Sequence, residues 1–161
     1  MLTAGVLTIS DKGWRGERKD ESGLVIKQAL SQIGAQVMKY EIVPDEKETI
    51  SAKLKEWAEE VDIVVTTGGT GLSSRDVTPE ATLAVVDRIV PGLAEAMRLE
   101  TMKKTPHAIL SRAVAGTRGK SLIVNLPGSP RGAEECLEVI LPVLSHAVEI
   151  LKGVVSEHTQ R

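Results

Sequence analysis

The sequence predicts a layered α/β fold with a largely parallel sheet and one antiparallel strand pair. Apolar stretches of strand length alternate along the chain with amphipathic stretches of helical length, which is typical of parallel βαβ units. Hydrophobic residues make up 42% of the 161 residues and aromatic residues only 2%, so the core is expected to be aliphatic. A chain of this length is expected to form a single domain over residues 1–161.

Three strands and two helices are predicted in the first half of the chain. The first strand covers residues 4–10, and a polar loop leads from it to a helix that Gly34 closes. The second strand covers residues 36–43, and a charged amphipathic helix follows over 45–60. Residues 61–67 are rich in β-branched side chains, which predicts a short strand of the buried type.

Two further helices are predicted in the middle of the chain. Thr78 is expected to be the N-cap of a helix whose first residue is Pro79 and which runs towards Asp87. The pair Pro91-Gly92 is expected to break the chain before another helix over residues 93–102.

The last third of the chain predicts the antiparallel pair and a long terminal helix. Residues 113–125 read as two strands joined by a glycine-rich turn. The final helix starts near Pro130, and Pro142 is expected to kink or restart it because proline lacks a backbone donor. Residues 154–161 are polar and are expected to form a frayed tail.

Composition excludes several classes of function. A net charge of −2 and the scarcity of aromatic side chains argue against binding of nucleic acid. The single Cys136 excludes an intrachain disulfide and a cysteine-based metal site, and it reads as a buried, inert thiol. The chain has neither an apolar run of about 18 residues nor a signal-peptide pattern, so no membrane association and a cytoplasmic location are expected.

Unusual residues follow three of the predicted strands. They are Ser10-Asp11, the glycine-rich stretch 68–71, and residues 125–129. Ligands of parallel α/β sheets bind at the carboxyl ends of strands, where glycine lets the backbone approach a phosphate closely. Any one of these segments is more simply an ordinary tight turn, but three at the same edge favour a pocket.

Two nucleotide-binding motifs are almost matched and are rejected. The stretch from Gly69 resembles a dinucleotide fingerprint, but Ser74 replaces the last glycine. The stretch ending in Lys120-Ser121 resembles a P-loop, but Val114 replaces the first glycine and the segment precedes a strand. Neither a dinucleotide-binding fold nor a P-loop ATPase is supported.

Carboxylates at the turns point to a magnesium-assisted reaction on phosphates. Asp11, Asp20, Asp45 and Asp76 fall in loops or at helix starts near the expected ligand edge. Mg²⁺ takes one or two carboxylates and completes its shell with water and substrate phosphates. From the residues alone, Asp45 is better read as part of a helix cap with Glu48, and Asp76 could likewise brace a helix.

Other polar side chains leave open alternatives. Arg75 could bind a phosphate or be solvated, and the pair Ser111-Arg112 could bind a phosphate or belong to a plain loop. Ser111 has no neighbouring base and is not expected to be a nucleophile. The histidines share no metal-ligand spacing.

Several motifs in order resemble one family over nearly the whole chain. The anchor is TTGGTGLSSRDVTPEAT from Thr66. The other matching motifs are VLTISD from Val6, DESG from Asp20, VPDE from Val43 and ILSRAVAGTRGKSLIVNLPGSP from Ile109. Together they resemble the molybdopterin adenylyltransferase family, which includes bacterial Mog- and MoaB-type proteins and the G domains of plant Cnx and of gephyrin.

The resemblance implies a three-layer α/β domain that assembles as a homotrimer and adenylylates molybdopterin with Mg²⁺ and ATP, releasing pyrophosphate. It implies that Asp45 and Asp76 are catalytic and hold Mg²⁺, which overrides the capping interpretation of Asp45. The implied substrate and nucleotide site comprises Ser10, Asp11, Asp20, Ser22, Gly68, Gly69, Thr70, Gly71, Thr78, Pro79, Glu80, Ser111, Arg112, Asn125, Pro127, Gly128 and Ser129.

The expected reaction is attack of the terminal phosphate of molybdopterin on the α-phosphorus of ATP, with no protein nucleophile. The downstream molybdate-insertion protein is a further expected partner. Two alternatives remain: a molybdopterin-binding protein of the same pathway without adenylylation activity, and an interaction scaffold like the gephyrin domain.

Overall fold

The computed structural model describes residues 1–154, and the expected tail lies almost wholly outside this range. The strands are β1 (Leu2–Ile9), β2 (Ala35–Val43), β3 (Ile63–Thr67), β4 (Arg88–Ile89), β5 (Ala115–Arg118) and β6 (Ser121–Leu126). The helices are α1 (Asp11–Trp14), α2 (Glu21–Ser31), α3 (Lys47–Ala58), α4 (Thr78–Leu83), α5 (Pro91–Met102) and α6 (Pro130–Lys152), and a 3-10 helix covers Pro106–Leu110.

The strands form one six-stranded sheet in the order β2-β1-β3-β6-β5-β4. Neighbouring strands are parallel from β2 to β6, whereas β5 pairs antiparallel with β6 through the predicted hairpin. The predicted α/β class is therefore confirmed. A second antiparallel pairing, of β4 with β5, was not expected because β4 is only two exposed residues long and has no apolar pattern.

Helices cover both faces of the sheet and give it three layers. On one face, α2, α5 and α6 pack on β-strand residues such as Val65, with Leu137 of α6 fully buried. On the other face, α3 and α4 pack around Val64 and Trp57. Side chains of β3 thus alternate between two aliphatic cores, and truncating a residue such as Leu137 to alanine would cost about 2–5 kcal/mol.

The chain reverses its direction of winding between β1 and β3. The segment after β1 turns to β2 through α2, and the chain then crosses by α3 on the opposite face to β3 on the other side of β1. A crevice forms at such a switch point beyond the carboxyl ends of the strands. This topology places the segments after Ile9 and Thr67 at one edge.

Four local predictions need correction. The polar loop after β1 contains the short helix α1, capped by Ser10, whose Oγ accepts a hydrogen bond from the Gly13 amide at 3.0 Å. Helix α4 has Val77 as its N-cap, so Thr78 is its first residue, and the helix ends at Leu83, short of Asp87. Of the two outcomes expected at Pro142, a kink or a restart, the restart does not occur, because α6 continues through this residue.

The fourth correction concerns Asp45. Helix α3 has Glu46 as its N-cap and lacks a side-chain cap hydrogen bond, so the capping interpretation of Asp45 is wrong.

Within the part of the chain that the structure describes, no helix is long and apolar enough to cross a membrane.

An ion pair at the edge opposite the crevice ties α6 to the sheet. Asp62 accepts hydrogen bonds from the Thr3 amide at 2.9 Å and from Lys152 Nζ at the same distance, and its side chain is only 12% exposed. Partial burial opposes ionisation of Asp62, but Lys152 and Thr3 outweigh it and lower its pKa. Its carboxylate therefore stabilises the folded state.

We predict that Asp62→Ala lowers the free energy of unfolding by about 1–3 kcal/mol, because the partly buried amide and hydroxyl of Thr3 lose their acceptor and Lys152 loses its partner. Since the folded-state pKa is lowered, the stabilisation is complete above about pH 4 and is lost as the pH falls through that pKa. Urea titrations at pH 7 and pH 3 measure both effects. Glu100→Ala, which breaks an exposed pair with Lys103, is the control and should cost less than about 1 kcal/mol. Equal losses in both variants would contradict the prediction.

Candidate functional site

A cavity of about 690 Å³ lies at the carboxyl ends of β1, β3 and β6. Three of the segments predicted from the sequence meet there, together with the start of α2. Its walls are formed by Thr8, Ile9, Ser10, Gly13, Arg18, Lys19, Asp20, Glu21, Ser22, Asp45, Thr67, Gly68, Gly69, Asp76, Gly128, Ser129 and Pro130. We call it the polar pocket.

Gly68 and Gly69 shape the centre of the polar pocket. Their φ angles are +101° and +71°, in the left-handed region that favours glycine. A Cβ atom on Gly68 would lie 2.2 Å from the carbonyl oxygen of Ile9, and one on Gly69 would lie 2.2 Å from Thr78 Oγ1. A side chain at position 68 would require the backbone of Ile9 to move, and one at position 69 would require the side chain of Thr78 to move.

Thr78 holds this turn from beneath. Its hydroxyl donates to the Gly68 carbonyl at 2.8 Å, and its amide donates to the Gly69 carbonyl at 3.1 Å. Thr78 is fully buried, as is the neighbouring Pro79 in the first turn of α4. Thr78 therefore supports the turn, and neither Thr78 nor Pro79 lines the polar pocket.

The segment after β6 closes against the same turn. Thr67 Oγ1 donates to the Pro127 carbonyl at 2.6 Å, and Ser22 Oγ donates to the Gly128 carbonyl at 2.6 Å. Ser129 caps α6 by accepting from the Gly132 amide at 3.0 Å. The N-termini of α2 and α6 are thereby fixed at the pocket, and helix N-termini favour bound anions.

Asp45 and Asp11 form a reciprocal pair between two loops. Asp45 Oδ2 accepts from the Asp11 amide at 2.8 Å, and the Asp45 amide donates to Asp11 Oδ1 at 3.0 Å. Arg75 binds Asp11 through both Nε and Nη2, at 3.0 and 2.9 Å. Asp11 is thus a bracket that joins the loop of Asp45 to the loop of Asp76.

The two carboxylates of this pair have opposite pKa shifts. Hydrogen bonds from Arg75 and from the Asp45 amide lower the pKa of Asp11. Burial raises the pKa of Asp45, and the negative charges of Asp11 and Asp76 raise it further. Asp45 is therefore the acid whose ionised form gains most from a cation in the pocket.

Asp76 completes the acidic part of the pocket. Its Oδ2 accepts from the Ser73 amide at 3.0 Å, which folds its side chain back over its own loop beside Gly71. Within residues 1–154, neither Asp45 Oδ1 nor Asp76 Oδ1 takes part in a hydrogen bond. Asp45 Oδ1 lies next to the Gly69 turn.

This donor set fits Mg²⁺ better than a metal that needs a full protein shell. No cluster of three or more histidine, cysteine or acidic side chains able to hold a metal occurs among the described residues. Two carboxylates, each with one unengaged oxygen, match the one or two that Mg²⁺ takes when substrate phosphates complete its shell. Asp45 and Asp76 would hold the ion.

Other predicted residues have structural roles. Asp20 caps α2 by accepting from the Gly23 amide at 2.9 Å, and it also accepts from Thr8 Oγ1 at 2.7 Å and from the hydroxyl of Tyr40. It contributes a wall of the polar pocket with its oxygens already bonded. The pKa of Tyr40 is raised, mainly by burial and to a smaller extent by the hydrogen bond to Asp20.

Asn125 is fully buried, and its side chain is saturated by protein contacts. Its Nδ2 donates to Thr66 Oγ1 and Thr82 Oγ1, both at 3.0 Å, and its Oδ1 accepts from the Val114 amide at 3.1 Å. Asn125 therefore joins β3, α4 and the segment before β5. A direct contact between its amide group and a ligand would break this network.

Arg112 clamps the loop that carries Asp76. Its guanidinium donates to the carbonyl oxygens of Gly71 and Asp76, both at 2.8 Å, and to Glu80 Oε2 at 2.6 Å. Its amide donates to the Thr70 carbonyl at 2.9 Å. The guanidinium is thus occupied, and the structure favours positioning of Asp76 over phosphate binding for Arg112 and Glu80.

A second cavity of about 460 Å³ adjoins the polar pocket at Ser129. Its walls are mostly apolar, so we call it the apolar pocket. They comprise Thr70, Gly71, Leu72, Ala94, Met97, Arg98, Thr101, Thr105, His107, Ala108, Leu110, Ser111, Ala113, Asn125, Pro127, Ser129, Gly132 and Cys136. Thr70, Gly71, Ser111 and Pro127 of the predicted site therefore line this second cavity rather than the first.

Comparison with known proteins identifies the family. Residues 5–146 match the family described as a probable molybdopterin-binding domain. The chain belongs to this family. The resemblance seen in the sequence is thereby confirmed, and the family works in molybdenum cofactor biosynthesis.

Individual members of this molybdopterin-binding family match along most of the chain. A molybdopterin adenylyltransferase of Helicobacter pylori is 45% identical, with 92% of this chain and 87% of the relative covered. The molybdenum cofactor synthesis protein cinnamon of Drosophila melanogaster is 43% identical over 96% of this chain but only 26% of its own length. The solved structure of the molybdopterin biosynthesis enzyme MoaB of Thermus thermophilus superposes with a TM-score of 0.90 at 54% identity, covering 95% of this chain and 98% of that one.

Arg18 and Lys19 were not among the residues predicted for the site. Both line the polar pocket, yet in the sequence they belong to a charged, glycine-containing loop that is typical of a solvated connection. Only the position of the next residue, Asp20, at the start of a motif indicated that this loop ends at the pocket.

We predict that Arg112→Lys lowers the rate of the reaction about 10-fold or more, because the single nitrogen of lysine cannot replace the three nitrogens with which Arg112 reaches two carbonyl oxygens and Glu80. Loss of the clamp displaces the loop of Asp76. The measurement is the steady-state rate at saturating substrates. Arg118→Lys is the control, since Arg118 donates to the Val85 carbonyl away from the pocket. Equal rates for Arg112→Lys and the parent protein would contradict the role of Arg112.

Replacing Asp45 and Asp11 by asparagine should change the melting temperature in opposite directions. Because burial raises the folded-state pKa of Asp45, its ionised form destabilises the protein at neutral pH, and this cost disappears as the pH falls through the raised pKa. Asp45→Asn should therefore raise the melting temperature at pH 7, whereas Asp11→Asn should lower it by removing the partner of Arg75. Differential scanning calorimetry of both variants measures this, and a lower melting temperature for Asp45→Asn at pH 7 would refute it.

Proposed function

We propose that this protein transfers an adenylyl group from ATP to the terminal phosphate of molybdopterin. The observation that carries the proposal is that Asp45 and Asp76 line the same cavity as the Gly68-Gly69 turn, and that two helix N-termini reach this cavity. Carboxylates for a divalent cation and backbone groups for phosphates are what transfer between two phosphorylated molecules requires. The name of the Helicobacter pylori relative supports the same reaction.

The reaction joins two phosphates and needs no nucleophile from the protein. An oxygen of the molybdopterin phosphate forms a bond to the α-phosphorus of ATP, and the bond from that phosphorus to the bridging oxygen of the β-phosphate breaks. The products are adenylylated molybdopterin and pyrophosphate. The task of the protein is to align the attacking and leaving oxygens on opposite sides of the α-phosphorus.

The residues of the polar pocket divide this task. The turn at Gly68-Gly69 packs closely on Ile9, Thr78 and Gly128, where a Cβ atom would clash, and its backbone lines the polar pocket at the place proposed for the phosphates. Asp45 and Asp76 would hold Mg²⁺, which when bound supplies positive charge to the phosphates. Asp11 and Arg112 keep these two acids in place.

The apolar pocket supplies a place for a planar ring. Adenylylated molybdopterin carries two heterocycles joined through phosphates, and the two cavities meet at Ser129. Met97, Leu110 and Pro127 give one cavity walls that suit a ring face. We propose that one heterocycle occupies the apolar pocket while the phosphates lie in the polar pocket.

Assembly as a homotrimer, a cytoplasmic location and transfer of the product to a molybdate-insertion protein are further proposals. They rest on the sequence motifs that resemble the adenylyltransferase family. Sedimentation of the purified protein would test the first of them.

We predict that the protein releases pyrophosphate from ATP only when molybdopterin and Mg²⁺ are present, and that Asp76→Asn lowers this rate about 100-fold or more. The amide cannot supply the negative charge that holds the cation, so catalysis falls while binding of molybdopterin is largely kept. A coupled assay for pyrophosphate gives the rate, and fluorescence titration gives the affinity.

Asp87→Asn is the matched control, because Asp87 accepts from the Gly119 amide at 2.7 Å and does not line the pocket. If the parent protein binds molybdopterin but releases no pyrophosphate, the proposed activity is wrong. The protein would then be a molybdopterin-binding protein of the same pathway. Unchanged turnover of Asp76→Asn would overturn the role of Asp76.

A further inference from the structure

The polar pocket carries an excess of negative charge. Its charged walls consist of four acidic residues, Asp20, Glu21, Asp45 and Asp76, and of two basic residues, Arg18 and Lys19. ATP is itself a polyanion, and like charges at close range in a partly enclosed site repel strongly. Binding a nucleotide there requires cations, and the protein contributes only these two from the described walls.

Three other basic side chains near the pocket are already engaged. Arg75 is held by both oxygens of Asp11, Arg112 clamps the loop of Asp76, and Arg15 pairs with Glu17. In contrast, neither Arg18 nor Lys19 forms an ion pair with any residue in the range 1–154. Their charges remain available to a ligand.

The connection from α1 to α2 delivers both side chains to the pocket. Its first part is tied back to α1, since the Arg15 amide donates to the Asp11 carbonyl at 3.0 Å and the Glu17 amide to the Lys12 carbonyl at 2.9 Å. Its last residue, Asp20, is fixed to Thr8 of β1. Arg18 and Lys19 lie between these anchors, so the backbone that carries them has little freedom to leave the pocket.

We infer that Arg18 and Lys19 bind the phosphates of the nucleotide that leave as pyrophosphate, an assignment that rests on the proposed adenylyl transfer. Most of the negative charge of ATP lies on its β- and γ-phosphates, and more develops on them as the bond to the α-phosphorus breaks. A guanidinium binds phosphate oxygens in pairs, and an ammonium group adds a mobile point charge. Both side chains are exposed, which lets them follow the leaving group out of the pocket.

Binding of inorganic pyrophosphate tests this inference without requiring turnover. The double variant Arg18→Gln/Lys19→Gln removes both charges and keeps polar, unbranched side chains at these positions. Isothermal titration with pyrophosphate in the presence of Mg²⁺ should show at least about 10-fold weaker binding by this variant, and the salt dependence of binding should become shallower. AMP, which lacks the two terminal phosphates, should bind the parent protein and the double variant about equally.

Lys12→Gln is the matched control, because Lys12 lies on the same segment but does not line the pocket. It should bind pyrophosphate like the parent protein. Equal pyrophosphate affinity in the parent protein and the double variant would overturn the inference, as would an equal loss in Lys12→Gln. This binding measurement is separate from catalysis, so the two proposals can fail separately. If the parent protein does not adenylylate molybdopterin, the proposed reaction is wrong. If the double variant still loses pyrophosphate affinity, the phosphate site at Arg18 and Lys19 is supported all the same.

Discussion

The close approach of β1 and β3 at their carboxyl ends is the constraint on which the site depends. There the Ile9 carbonyl oxygen lies only 2.2 Å from the place that a Cβ atom of residue 68 would take. Thr78 Oγ1 lies at the same distance from the place of a Cβ atom on residue 69. The chain turns sharply at this point because two successive glycines adopt positive φ angles. Every later part of the site is attached to this turn: Thr78 begins α4, and Gly128 packs on Gly68.

Two acids beside this turn, Asp11 and Asp45, have pKa values that shift in opposite directions. Asp11 follows β1 directly and faces Arg75, so it remains ionised and serves as a fixed bracket. Asp45 enters from the loop after β2 and is more buried, so its ionised form is disfavoured. Pairs of carboxylates in contrasting environments commonly take separate roles in catalysis. Here Asp11 joins the loops, whereas Asp45 keeps one oxygen without a hydrogen bond among the described residues.

Much of this site could be anticipated from the sequence, because three strand ends carry residues that ordinary strands lack. The parallel sheet brings such ends to one edge, so Ser10, Gly68 and Gly128 could be grouped without a structure. Asp45 could not be chosen on its residue pattern alone, because an acid before a charged helix also suits a cap. Its role was indicated by the resemblance, and the structure then removed the competing interpretation.

Other features could not be read from the residues because they depend on tertiary contacts. An asparagine near the end of a predicted strand looks like a ligand-binding residue, and only the positions of Thr66 and Thr82 show that Asn125 joins protein elements instead. The two-residue strand β4 has no pattern of its own, and its pairing is set by β5. Likewise, Arg18 and Lys19 resemble solvated loop residues until the loop is seen to end at the pocket.

The charge balance of the polar pocket connects these observations to binding. Four acids lie close to a turn shaped for phosphates, so a phosphate chain entering without a cation meets repulsion as well as backbone donors. Neutralising Asp45 and Asp76 removes part of that repulsion, and binding of the cation and of the nucleotide must then favour each other by the same free energy. Arg18 and Lys19 act on the remaining charge from the α1–α2 connection, outside the rigid core. In the proposed reaction the pocket would therefore have two functions: the acids on the fixed loops would set where the cation and the α-phosphate lie, and the bases on the exposed connection would hold the phosphates that leave.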